Sequence, residues 1–431
     1  MEQARLLLKQ SRGLRSTMEQ RAERAVALAA LILEESRKRQ TSRERAEQAQ
    51  LASMLNDPNG KAFVTQMTDQ CFRSGHAHRT ADQLIFLLHK FGVPQYLSVF
   101  KRIQLASFRL LGKVCPRLLV PWVKGVIRKQ TAHVIIPGEP QRLEAHLRKR
   151  TREGVRINLN HLGEAILGEE EAEARLKIYL EDLAKPEVEV ISVKISTIFS
   201  QINHLSWEKT LDCLSARLTR LYRAAQTHRF VRADGREGLK FVNLDMEEYG
   251  DLHLTVALFQ RILDYPEFQS LPAGIVLQAY LPDSFAIQCA LTEWAIKRVA
   301  AGGAQIKIRL VKGANLTMEQ VSASLHGWSQ APYTNKADVD ANFKKMVVYA
   351  LDPAHAHAVH IGIGSHNLFD IALVLLLRAE QGLDEEIEFE MLEGMADPVR
   401  WVLQDLLGSV LLYCPSATKE EFQNAVAYLI R

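Results

Sequence analysis

The chain is poor in cysteine, and its five thiols stand apart: Cys71, Cys115, Cys213, Cys289 and Cys414 form no Cys-x-x-Cys pair. An odd, scattered set argues against a disulfide framework or a structural zinc site and fits a reducing cytoplasm. No run of about twenty apolar residues is present, so no segment reads as a membrane span. The opening Met1-Glu-Gln-Ala-Arg5 lacks the basic-then-apolar order of a secretory signal. Aromatics make up 7% of the residues, and they are not interleaved with the basic ones. With no nucleic-acid-binding motif either, no nucleic acid is expected as a partner. No Gly-x-Gly-x-x-Gly follows the first strand-like segment, which disfavours a Rossmann domain.

What is present is a globular composition, 47% hydrophobic and 24% charged over 431 residues, enough for one large core and a smaller domain. The net charge of +4 conceals an asymmetry. Residues 1–156 hold 29 Lys and Arg against 13 Asp and Glu, whereas residues 157–431 hold 25 against 37. Residues 101–156 alone carry 14 basic and 3 acidic side chains. The first expectation for such a patch is pairing with the acidic half of the molecule or with another subunit. An anionic membrane surface comes second.

Two architectures follow one another. Residues 1–150 read as an α-helical arm and helical domain, with helix-compatible spacing at Ala25–Leu33, Lys61–Phe72, Ala81–Phe91 and Tyr96–Leu111. Asp57-Pro58-Asn59-Gly60, Gly92-Val93-Pro94, Cys115-Pro116 and Pro137-Gly138-Glu139-Pro140 break them. The first 50 residues, charged on most faces, read as a projecting arm or a coiled pair. From 151 to 431 strand and helix alternate. Strands are expected near 155–161, 190–196, 240–245, 274–280, 305–311, 358–364, 387–392 and 409–414. Helices are expected near 169–184, 207–228, 252–265, 283–301, 337–351, 367–380, 398–407 and 419–431. Eight such units predict an α/β fold, a closed (β/α)8 TIM-like barrel.

The strands carry unlike faces. Ile306, Ile308 and Leu310 alternate with Lys307 and Arg309, and Lys312 and Gly313 follow. Asn158 and Asn160, Ser192 and Lys194, Asn243 and Asp245, Gln278, His360, and Glu388 and Glu390 take the inward parity on the other strands. Cations at a barrel mouth need anions: cofactor phosphates, a substrate carboxylate, or protein carboxylates. Lys194 has two readings, a structural partner of Asp245 or a Schiff-base lysine of the lyase kind. His355, His357 and His360 sit at a helix-to-strand turn away from the mouth and read as solvated or core histidines, so no metal is expected. Glu169–Glu171 reads as an acidic first helical turn. Ser365-His366-Asn367 reads as a helix cap or a ligand contact.

Ile191-Ser-Val-Lys-Ile-Ser196, Asn243-Leu-Asp-Met-Glu-Glu248, Leu277-Gln-Ala-Tyr280, Arg309-Leu-Val-Lys-Gly-Ala314, Tyr333-Thr-Asn-Lys-Ala337, Ser365-His-Asn367 and Tyr428-Leu-Ile-Arg431 occur in that order. Together they resemble the proline dehydrogenase barrel of the bifunctional flavoenzyme proline utilization A. The resemblance implies non-covalent FAD, oxidation of L-proline to 1-pyrroline-5-carboxylate, and a membrane quinone as electron acceptor. It implies that Arg309 lies by flavin N5 and that Gln278 holds the pyrimidine edge. Lys312, Thr334 and Lys336 would serve the ribityl and phosphate portion, and Ser365 and His366 would also touch FAD. Arg431 would grip the substrate carboxylate, Lys194 and Asp245 would shape the polar end, and Tyr413, Tyr428 and Leu392 would pack on the proline ring.

Further expectations are a homodimer through the N-terminal arm and a cytoplasmic protein peripheral to the inner face of the membrane. Asn315 and Leu316 replace the aromatic pair that follows Lys-Gly-Ala in well-known members, and the chain stops at the first of two expected arginines, Arg431. The aldehyde dehydrogenase half is absent from this sequence, so a truncated chain is expected; the DNA-binding segment of some relatives is not evident at the N-terminus. The alternative readings are an impaired FAD-binding or assembly module and, behind it, the Schiff-base lyase.

Overall fold

The two-residue alternation is realised as eight parallel strands that close on themselves. The computed structural model describes residues 1–431 except 73, 163–165, 167, 233, 422–424 and 426–431. The strands are β1 (Arg156–His161), β2 (Val190–Val193), β3 (Phe241–Leu244), β4 (Ala273–Gln278), β5 (Ile306–Val311), β6 (Val359–Gly364), β7 (Ile387–Leu392) and β8 (Leu411–Ala417). Each pairs with the next, and β8 returns to β1, with Leu411 opposite Arg156 and Ser416 opposite His161. Outward-facing Leu159, Ile191, Leu244, Leu277, Ile308 and Ile363 are wholly buried. Each such side chain contributes about 1.5–3 kcal/mol of burial.

Helices Glu169–Ala184, Trp207–Thr227, Leu252–Leu263, Ser284–Ala300, Lys336–Ala350, Leu368–Gln381 and Asp397–Leu407 connect the strands as expected. The eighth, expected at 419–431, falls largely outside the described residues. Two local differences appear. The second strand stops at Val193 rather than 196, because both the backbone N–H and the hydroxyl of Thr197 bond the Lys194 carbonyl and turn the chain into a short helix. A further helix, Leu316–His326, lies between β5 and Lys336–Ala350.

The base of the barrel is ionic. Lys307 donates to Glu388 and sits 2.6 Å from Glu390, while Arg156 pairs with Glu388 and, at 2.6 Å, with Glu189. Burial raises the Glu388 carboxyl pKa, but Lys307 and Arg156 outweigh it and hold it down at about 2. Burial and the neighbouring Lys307 charge depress His360 to about 4, so it stays neutral in this layer. Gly362 makes the layer possible: a Cβ there would lie 2.4 Å from Glu390 Oε1 and 2.7 Å from Lys307 Cε.

The chain divides into two compact units, Met1–Arg37 with Pro140–Ser416, and Lys38–Glu139 with Ala417–Arg431. Residues 1–37 therefore group with the barrel rather than project as an arm. Arg21 pairs with Glu380 at 2.7 Å and Arg12 with Asp384 at 2.5 Å. The second unit packs its helices around Phe63, Phe72, Leu84, Leu88, Phe108 and Val120. There Asp57 caps helix Pro58–Gln66 by accepting the Gly60 N–H at 2.8 Å, with Pro58 in the first turn.

Candidate active site

The strand ends of β3, β4, β5, β7 and β8 bring the polar residues to one rim. Asp245, directly after β3, is 5% exposed and is the hub. It accepts hydrogen bonds from Ser192 Oγ at 3.0 Å, Asn243 Nδ2 at 3.0 Å and Tyr413 Oη at 2.7 Å. Arg309 Nη2 completes the set at 3.1 Å from Asp245 Oδ1. The guanidinium also lies 3.5 Å from Glu390 and stacks 4.8 Å from the Tyr413 ring centroid. A cation with carboxylates on two sides and an aromatic face beside it is held in one orientation.

Several buried polar atoms nearby have no hydrogen-bond partner, one each on Gln278 and His366 among them. Gln278, at the end of β4, donates from Nε2 to the Met246 carbonyl at 3.1 Å, which leaves its buried Oε1 an unused acceptor. His366 accepts the Leu392 N–H on Nε2 at 2.8 Å, and burial lowers its pKa. A neutral ring accepting on Nε2 carries its proton on Nδ1, so the buried Nδ1 is an unused donor. Leu392 is opposite Tyr413 in the β7–β8 register, and both are half-buried. Asn160, inward on β1 and 1% exposed, has neither amide atom bonded.

Lys312 is held between Asp340 at 2.5 Å and Asp370 at 2.7 Å. Burial lowers its pKa, but the hydrogen bonds to the two carboxylates more than offset this and raise it. Ser365 shares Asp370 at 3.3 Å, and Lys336 shares Asp340 at 2.6 Å. Thr334 is exposed just before them. Gly313, at φ +120, lets the Tyr280 ring lie against the backbone, where a Cβ would approach Tyr280 Cδ1 to 2.3 Å. Asn367 caps helix Leu368–Gln381 through the N–H groups of Phe369 and Asp370, so the cap reading of this turn belongs to Asn367.

Lys194 does not pair with Asp245. Its ammonium, past the end of β2, meets Glu247 at 2.7 Å, two residues further along the segment that follows β3. Tyr428 and Arg431 lie outside the described residues.

The proline dehydrogenase family profile matches residues 143–431, more than half of the chain. The chain belongs to the proline dehydrogenase family. Among curated relatives, the bifunctional protein PutA of Escherichia coli is 24% identical over 345 residues, covering 75% of this chain and 24% of that protein. Proline dehydrogenase 2 of Bacillus subtilis is 25% identical over 250 residues, 58% of this chain and 69% of that one. The proline dehydrogenase-family chain thus spans about a quarter of the PutA relative. Of solved structures, proline utilization A from Corynebacterium freiburgense is 45% identical with TM-score 0.65, over 70% of this chain and 31% of the other. Proline utilization A from Bdellovibrio bacteriovorus, inactivated by N-propargylglycine, is 25% identical with TM-score 0.76, over 95% and 41%.

In this proline dehydrogenase-family barrel the lysines and arginine selected from sequence that lie among the described residues are paired: Lys194 with Glu247, Arg309 with Asp245, Lys312 with Asp340 and Asp370, Lys336 with Asp340. Of these carboxylates, Glu247, Asp340 and Asp370 were not singled out from sequence. Signals existed for two of them: Asp340 is four residues after Lys336 on a helix, and Asp370 occupies the first turn after a capping Asn.

Proposed function

We propose that the chain oxidises L-proline to 1-pyrroline-5-carboxylate with non-covalent FAD, and that a membrane quinone takes the two electrons. The supporting observation is the Asp245–Arg309–Tyr413 cluster beside the unused Gln278 acceptor and His366 donor, on one rim of a family barrel. The reaction removes a hydride from the ring carbon beside nitrogen and releases the nitrogen's proton to solvent, leaving a C=N bond. FAD, when bound, supplies the hydride acceptor.

The chain's own residues bind and orient. A flavin would suit these two unpartnered atoms, since its pyrimidine edge carries an N–H that could donate to Gln278 Oε1 and oxygens that could accept a hydrogen bond from His366 Nδ1–H. Arg309 would place its fixed cation at the reactive edge, where negative charge grows. Lys312, Lys336, Thr334 and Ser365 would serve the ribityl and phosphate portion, with Lys312 sharing its charge between phosphate and its two carboxylates. Arg431 would hold the substrate carboxylate, which a guanidinium matches bidentately. Leu392, Tyr413 and Tyr428 would pack the ring and exclude water, while Lys194 bounds the polar end. Asp245 would orient the ring nitrogen, so that a neutral amine can react without an external strong base.

The decisive measurement is the visible spectrum of the purified protein after incubation with FAD. The expected result is a yellow protein that bleaches when proline is added without oxygen. Arg431→Met should keep the colour and lose the bleaching. A protein that stays colourless, or whose colour ignores proline, refutes the assignment.

A further inference from the structure

No Asp or Glu occurs between Asp82 and Glu139, while nine Lys or Arg do. The acid-free stretch contains helices Val99–Leu111 and Pro116–Thr131, both in the second compact unit. The first helix gives that unit's core Phe108 as its fully buried side chain. Leu105 packs partly against the same core, but other large apolar groups of the helix point to solvent: Val99 is 71% exposed, Phe100 69%, Ile103 59% and Leu110 75%. The exposure peaks where the helices meet. Along the turn, Leu110, Val114 at 73% and Leu118 at 75% alternate with exposed Arg109, Lys113 and Arg117. Trp122, one helical turn beyond Leu118, is 44% exposed.

Isolated exposed leucines are ordinary on a soluble protein, but a contiguous tip of them ringed by uncompensated cations is not. Apolar groups favour any dry partner. Cations without a single interspersed acid favour one that carries negative charge over an area. We propose that this helix–turn–helix tip docks on an anionic lipid surface, the cations at the headgroups and Leu110, Val114 and Leu118 at the acyl boundary. Chain contiguity supports this arrangement, because the two residue types come from one nine-residue segment, 110–118, and its immediate flank. The inference deepens the membrane-quinone part of the proposed function, yet it is read without proline or flavin, so that either can fail alone.

The test is co-sedimentation of the full chain with vesicles of equal parts phosphatidylglycerol and phosphatidylcholine, against pure phosphatidylcholine. Binding to the anionic vesicles should exceed binding to the neutral ones, weaken in high salt, and shift Trp122 emission to the blue. The shift should vanish in Trp122→Phe. Arg109→Glu, Lys113→Glu and Arg117→Glu together should weaken binding at least about a hundredfold. Leu110→Ser, Val114→Ser and Leu118→Ser together should abolish the blue shift with an unchanged circular dichroism spectrum. Equal binding to both vesicle types overturns the proposal. So does binding to polyglutamate but to neither vesicle, which would assign the tip to an acidic protein. Self-association of the parent that the triple serine variant loses would assign it to a second copy of this chain, and also overturns the proposal.

Discussion

Tyr413 performs two tasks at once: its hydroxyl bonds Asp245 at 2.7 Å, and its ring lies beside the Arg309 guanidinium. Tyr413→Phe separates them, keeping the ring and deleting the bond. Steady-state kinetics with proline should show kcat/KM lowered about 10- to 100-fold, the range for a hydrogen bond to a charged group. A second single-residue expectation concerns Asp251. Burial, then Glu248, Glu247 and Glu319, push its carboxyl up from 3.8 to about 6, against the pull of His204. The folded state thus keeps a proton that the unfolded chain releases, and stability falls as pH rises from about 4 to about 6. Asp251→Asn should gain about 1–2 kcal/mol over the parent at pH 7 and little at pH 4, read from urea midpoints. Asp245 and Arg309 were legible in the sequence because inward parity marks them. Glu247 was not, because it lies beyond the strand expected at 240–245.

Among the elements, β5 was the easiest to read, since three buried aliphatics alternate with two cations. Helix Leu316–His326 escaped notice for the opposite reason: none of its residues is buried, so its apolar positions make no stripe. The parity that marked Lys307 and Glu388 as inward could not say that they pair with one another at the base. That pairing sets the next expectation. Lys307→Met removes the buried cation shared by Glu388 and Glu390, leaving Arg156 and Arg309 as their remaining partners, and should cost about 3 kcal/mol in a denaturant titration. The Glu388 carboxyl, depressed to about 2, stabilises the fold above its ordinary 4.5. That contribution should be lost as pH falls through about 2.

Across the whole molecule, the grouping of Met1–Arg37 with the barrel rests on partners far apart in the chain. Arg21 and Glu380 lie 359 residues apart, and no local pattern announces them. Glu380 has a side chain only 1% exposed, so Arg21→Met strands a carboxylate. Hydrogen exchange should quicken along Met18–Arg39 while the amides of β3 to β5 keep their protection, since their ladder does not depend on that pair.

The ionic layer of Arg156, Lys307, His360 and Glu388 has a consequence for traffic. Buried ion pairs fill the foot of the barrel, which leaves the strand-end rim as the side from which Asp245 is approached. Under the proposed reaction, proline and its imine product would occupy one and the same pocket, so each should inhibit the other competitively.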